Sequence, residues 1–83
     1  VIKKDTIMKA YVLISIRTGE VREVVRQLKK IEQVKEANMT FGPYDAVAIV
    51  EAKDVNDLGG TLATVIQPIP GILETLTCLA VDI

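Results

Sequence analysis

The 83-residue chain contains no histidine and no tryptophan, a single cysteine (Cys78), and only three aromatic side chains, Tyr11, Phe41 and Tyr44. Without histidine it lacks the commonest general base and the commonest transition-metal ligand. One thiol can neither close an internal disulfide nor build a metal cage by itself. So few aromatics leave no stacking platform of the kind that single-strand RNA-recognition modules use. An excess of either charge is missing too: ten basic and eleven acidic residues leave a formal net charge of −1, which is not the footprint of a phosphate-binding surface. No apolar run approaches the roughly 20 residues that span a bilayer, and there is no signal peptide. The composition therefore predicts a non-enzymatic, cytoplasmic protein with no cofactor, no metal, no membrane association and no direct DNA binding.

What is present is hydrophobic residues at nearly half the chain, enough for one core in one small domain. The first seven residues show no sustained periodicity and read as an N-terminal extension or a non-native remnant, with Met8 at or near the natural start; residues 8–83 form the domain. Lys9 to Arg17 is a β-branched, aliphatic run that reads as a strand. The apolar positions Val21, Val24, Val25, Leu28 and Ile31 trace one face of an amphipathic helix, with Thr18 as the expected N-cap. Val34 to Phe41 reads as a second strand with Val34, Glu36, Asn38 and Thr40 on one side, and Ala46 to Ala52 as a third, joined by the turn Gly42-Pro43-Tyr44-Asp45. Asp54 suits the N-cap of a second helix over Val55 to Ile66, which Pro68 and Pro70 terminate. Gly59 and Gly60 inside it point to close packing or a local irregularity. Ile72 to Val81 is the fourth strand. A weak repeat at an offset of 38 residues sets Ile31–Ala37 over Ile69–Thr75. The expected fold is α+β: a ferredoxin-like βαββαβ sandwich with a four-stranded antiparallel sheet, strand order 4-1-3-2, and both helices on one face.

With both helices on one face, the other should meet water and read polar, and it does not. Tyr11 and Leu13 oppose Val12, Ile14 and Ile16, Val47 and Ile49 oppose Ala46, Ala48 and Val50, and Leu73 and Leu79 oppose Ile72, Leu76, Cys78 and Ala80, so both sides of the sheet are apolar. A contiguous patch of that size marks an interface, so the domain is expected to dimerise through it, the alternative being a further domain that covers it. Cys78 itself reads as core filling rather than a nucleophile, since no base or cation accompanies it. The basic outer side of the first helix is interleaved with Glu20 and Glu23, which makes it a solvated face. Taken alone, Gly42-Pro43-Tyr44-Asp45 is turn chemistry, and Thr75 and Thr77 are strand formers whose hydroxyls share a face.

In order along the chain, MKAYVLISI, Gly42-x-Tyr44-Asp45, Ile69-Pro70-Gly71-Ile72 and Thr75-x-Thr77 resemble the effector-binding (RAM) domain of the Lrp/AsnC feast-famine transcription regulators. The resemblance covers about Met8 to Ile83. It implies dimers packed sheet to sheet, assembly into larger rings such as octamers, and an amino-acid effector bound near the hairpin loop between subunits. Carried onto this sequence, the ligand contacts are Gly42, Tyr44, Asp45, Thr75 and Thr77, with Asp45 receiving an ammonium group and the threonine hydroxyls a carboxylate. The family's helix-turn-helix has no counterpart in seven residues before the first strand. The resemblance thus implies the stand-alone form, which acts on transcription through a full-length Lrp/AsnC regulator or another partner. A purely structural oligomerisation domain, and an ACT-like regulatory domain or subunit of an amino-acid metabolic enzyme, are the alternative expectations.

Overall fold

The computed structural model describes residues 7–81, so the reading of the N-terminal extension falls outside the described residues except at Ile7. The chain runs β1 (Met8–Ile16), α1 (Val21–Lys29), β2 (Val34–Met39), β3 (Ala46–Ala52), α2 (Val55–Thr61), a π-helical turn (Leu62–Ile66) that continues α2 without a break, and β4 (Ile72–Leu79). The four strands form one antiparallel sheet in the order β2-β3-β1-β4, as the sequence predicts.

The alternation of β1 and β3 decides which side of the sheet the helices cover. Ala10, Val12, Ile14 and Ile16 of β1 and Ala46, Ala48, Val50 and Ala52 of β3 are buried, and they join Val24, Val25 and Leu28 of α1 with Leu58 and Ile66 of the second helix in one core. Both helices therefore lie on the same face. Three of the four β3 contributions are alanine, which lets the helix backbones come close to the sheet, and the larger volume is supplied by Val12, Ile14, Leu28, Val50 and Ile66. Burying each of these larger side chains contributes about 1.5–3 kcal/mol relative to leaving it exposed.

Helix α1 begins differently from the expectation. Glu20, not Thr18, occupies the N-cap, without a side-chain capping bond, because Gly19 at φ +90° turns the chain after Arg17 and Glu20 N–H closes the turn on the Arg17 carbonyl. On its exposed side Glu23 accepts hydrogen bonds from both Arg26 and Gln27. These bonds, that from Gln27 foremost, hold the Glu23 carboxyl below its ordinary pKa. Helix α2 starts as expected, with Asp57 N–H donating to Asp54 Oδ1 at 2.7 Å and Lys53 N–H donating to Asp57 Oδ2 at 2.9 Å, a reciprocal cap. The glycine pair has nothing within 4 Å of where its side chains would be, so close packing is not its reason. It shortly precedes the π turn, in which Gln67 N–H reaches back to the Leu62 carbonyl at 2.8 Å.

Two β-bulges correct the facing assigned to the edge strands. In β2, Val34 pairs with Val50 and Glu36 with Ile49, which leaves Lys35 as an extra residue. Val34 and Ala37 then turn to the helices, while Glu36 and Asn38 point to the opposite face. In β4, Ile72 pairs with Ile16 and Glu74 with Ser15, leaving Leu73 as the extra residue. Ile72 thus packs on the core with Thr75 and Thr77 on its side, and Leu76 and Cys78 lie opposite. The two bulged residues stand 38 positions apart, at equivalent places in the two βαβ halves.

Cys78 is exposed, on the face of the sheet opposite the core and beside Tyr11 of β1, and so is not core filling. The face it shares carries Tyr11, 38% exposed, and Leu76, 47% exposed, together with half-buried Leu13, Val47 and Ile49. That face is the apolar one that the sequence implies.

Candidate functional site

The β2–β3 hairpin supplies the first part of the site. Thr40 ties its base, the N–H donating to the Asp45 carbonyl at 3.0 Å and the hydroxyl to the Tyr44 carbonyl at 2.8 Å. Gly42 takes φ +152°, a region that favours glycine, and so lets the loop fold back over itself. The loop's aspartate is anchored on β1 twice. Asp45 N–H donates to the Ile14 carbonyl at 2.9 Å, and Asp45 Oδ2 accepts from Ile16 N–H at 2.7 Å. Ile16 closes the β1 ladder next to the β4 bulge, so one carboxylate oxygen braces the point where β1, β4 and the hairpin converge. Oδ1 makes no hydrogen bond among the described residues.

Gly42 and Asp45 line a hollow of about 420 Å³ whose walls also include Val21, Met39, Thr40 and Phe41. Its size falls in the range of small-molecule sites. Its walls are mainly apolar with one carboxylate, an arrangement that suits a small cationic group carrying an apolar side chain. Phe41 is fully exposed at the rim. Sequence reasoning passed over Phe41; the signal was an aromatic placed directly before Gly-Pro in an otherwise polar turn. Tyr44 is half-buried and does not line this hollow.

Thr75 and Thr77 lie elsewhere. They pair with Ile14 and Val12 on the outer edge of the sheet, on the far side of β1 from the hairpin. Two strand spacings separate β3 from β4, about 10 Å. Thr75 Oγ1 accepts from Gln67 Nε2 at 3.1 Å, and Thr75 lines a separate hollow of about 300 Å³ with Gln67, Ile72, Leu73 and Glu74. Within one chain, then, the five residues fall into a hairpin group and a β4 group. Among the described residues, no cluster of three or more cysteine, aspartate or glutamate side chains could hold a metal ion, and no helix is long and apolar enough to cross a membrane.

Comparison with known proteins agrees with this architecture. The family model of the Lrp/AsnC ligand binding domain matches residues 9–83. The HTH-type transcriptional regulator FL11 of Pyrococcus abyssi is 36% identical over 72 residues, which are 87% of this chain and 47% of that protein. The chain spans about half the length, or less, of the curated relatives it matches. The crystal structure of TTHA0845 from Thermus thermophilus superposes with a TM-score of 0.86 at 34% identity, covering 92% of this chain and 95% of that one. The transcriptional regulator NMB0573 of Neisseria meningitidis, solved as its L-Met complex, superposes with a TM-score of 0.82 at 17% identity over 90% of this chain and 50% of that one, a likeness of fold. With the βαββαβ order, the hairpin motif and the family match in agreement, the chain belongs to the Lrp/AsnC ligand-binding domain family.

Proposed function

We propose that this chain is an amino-acid-binding, oligomerising regulatory module that acts on transcription in the cytoplasm and catalyses nothing itself. The observation that carries the reading is the hollow beside the hairpin, with the Asp45 carboxylate fixed in its wall by the Ile16 N–H. An ammonium group entering the hollow meets an acceptor that is already oriented, and a charge-assisted bond of this kind contributes about 1.5–3 kcal/mol. Tyr44 and Gly42 shape the loop. Thr75 and Thr77, on the other side of β1, complete the site when a second copy brings its β4 edge to the hairpin. The apolar sheet face around Leu13, Val47 and Leu76 supports dimerisation, and the dimers assemble further into a ring such as an octamer. That NMB0573 is a regulator crystallised with L-Met supports an amino acid as the effector class. The names of the curated relatives support a full-length regulator of the family as the partner.

A second reading rests on the same aspartate. Asp45 already has a structural partner, as it would in a domain that only oligomerises. A thermal-shift screen of the twenty amino acids separates the two. A ligand bound only by the folded state raises Tm increasingly as its concentration exceeds Kd. A rise with one or a few amino acids, abolished in Asp45→Asn, supports the effector site. No rise with any of them at millimolar concentration leaves the oligomerisation domain.

A further inference from the structure

We propose that the groove between α1 and the edge strand β2 binds an extended, acidic segment of a partner protein, which adds a strand to the sheet alongside β2. The groove holds about 550 Å³, more than the hollow beside the hairpin. Arg22, Arg26 and Lys29 of α1 form one wall, Ala37 and Met39 of β2 the other, and Val25 lies between them. Val25 is nearly buried, whereas Met39 is 52% exposed, so the groove has an apolar floor that opens to one side. Arg26 is paired with Glu23, but Arg22 and Lys29 make no ion pair among the described residues. Three cations thus overhang apolar surface in a chain whose net charge is −1.

The neighbouring backbone suits a strand. β2 is the outermost strand and pairs only with β3, so every other residue turns its N–H and C=O to the open edge. The bulge at Lys35 confines regular pairing to the stretch from Glu36 to Met39. A strand added there directs alternate side chains into the groove at intervals of about 6.6–6.8 Å. The successive cations of α1, four and three residues apart, advance about 6 Å and 4.5 Å along the helix. Carboxylates on alternate positions of the incoming segment therefore match the Arg22–Arg26 interval to about 1 Å and the Arg26–Lys29 interval to about 2 Å, which flexible side chains absorb, and their methylene stems lie against Val25 and Met39. A second copy of this chain does not qualify, since nowhere in the sequence do two acidic side chains stand two positions apart. Nucleic acid is disfavoured because phosphates gain nothing from an apolar floor or a strand edge.

The test uses a short fluorescein-labelled peptide alternating glutamate and valine, with an alternating lysine–valine peptide as control. Anisotropy should report saturable binding of the acidic peptide alone, and amide exchange should slow at Ala37 and Met39. Arg22→Glu should weaken binding by about tenfold or more, while Lys53→Glu, an equal charge change outside the groove, should alter it less than about twofold. Melting curves of both variants confirm that they fold. Equal losses from the two reversals, protection confined to other strands, tighter binding of duplex DNA than of the peptide, or no saturable binding would each overturn the proposal.

Discussion

Asp45 and Ile16, 29 residues apart in the chain, meet in a 2.7 Å hydrogen bond in which the Ile16 backbone donates to the Asp45 carboxylate. The bond extends the β1–β3 ladder one step past its last backbone pair, Ile14 with Ala46. Hairpin geometry and the charge offered to the hollow therefore depend on the same side chain, and substitutions can separate them. Asparagine keeps an acceptor for Ile16 N–H but loses the charge. Asp45→Asn should lower the stability of the unliganded protein by about 0.5–1.5 kcal/mol. It should weaken effector binding by roughly 10- to 150-fold and leave oligomer size unchanged. Asp45→Ala strands the Ile16 N–H as well and should cost about 1–3 kcal/mol of stability. Titration calorimetry and urea unfolding at fixed protein concentration measure the two effects. Affinity that survives Asp45→Asn would make the residue a brace alone.

Leu76 offers a test of association that spares the core. It is 47% exposed in the single chain, on the face opposite the helices. Leu76→Arg should therefore leave the monomer folded but place an unpaired charge in the proposed sheet-to-sheet interface. Light scattering should show the wild type as a dimer or larger at micromolar concentration and the variant as a monomer with an unchanged far-ultraviolet spectrum. A variant that stays fully assembled would move the interface elsewhere.

Two glycines should respond in opposite directions to the same methyl group. At Gly71, φ is +101°, and a Cβ would stand 2.7 Å from Glu20 Oε1 and 3.1 Å from Val24 Cγ2. Gly71→Ala should destabilise by about 1–3 kcal/mol, since backbone strain and contact with α1 act together. At Gly59, inside α2, nothing lies within 4 Å of the added atom. Gly59→Ala should stabilise by about 0.4–1 kcal/mol through helix propensity and a less flexible unfolded chain. Urea midpoints at one protein concentration check both.

The Glu23 carboxyl, held below its ordinary pKa by Gln27 and Arg26, sets the sign of a pH effect. A depressed folded-state pKa means that the stabilisation is present above the unfolded value. It is lost as pH falls through the folded one. The residue lies on the exposed side of α1, so the effect is small and salt-sensitive. Acid unfolding of Glu23→Gln should be less steep than wild type below the ordinary glutamate range at low ionic strength, and the difference should vanish in high salt.

Periodicity made β1, α1 and β3 legible, because each keeps an unbroken repeat with one buried side. The edge strands were harder. A bulge is a property of pairing with a neighbour, and nothing in Val34-Lys35-Glu36 or Ile72-Leu73-Glu74 announces which residue will be left out of the ladder. Cys78 was misread for a related reason: an apolar strand residue looks the same whether its face meets a helix or another subunit. Asp45 could be located in its turn from composition, yet its bond to Ile16 depends on how β1 and β3 align, a long-range fact. The same holds for Thr75 and Thr77. Their shared face follows from alternation, but only the sheet order sets β1 between them and the hairpin.

The matched bulges at Lys35 and Leu73 also determine where this domain can change length. Because each is a surplus residue on one strand, removing it brings Val34 next to Glu36, or Ile72 next to Glu74, in ordinary alternation, and every other side chain keeps its side of the sheet. Removing a residue from the middle of β3, Ala48 for instance, has the opposite outcome: everything on one side of the gap inverts, and core residues are traded for surface ones. A chain lacking Lys35 should thus fold with modest loss, and a chain lacking Ala48 should not fold, as circular dichroism and solubility would report. Each half of the molecule carries its own spare unit of length, in the place where its reading frame can absorb the change.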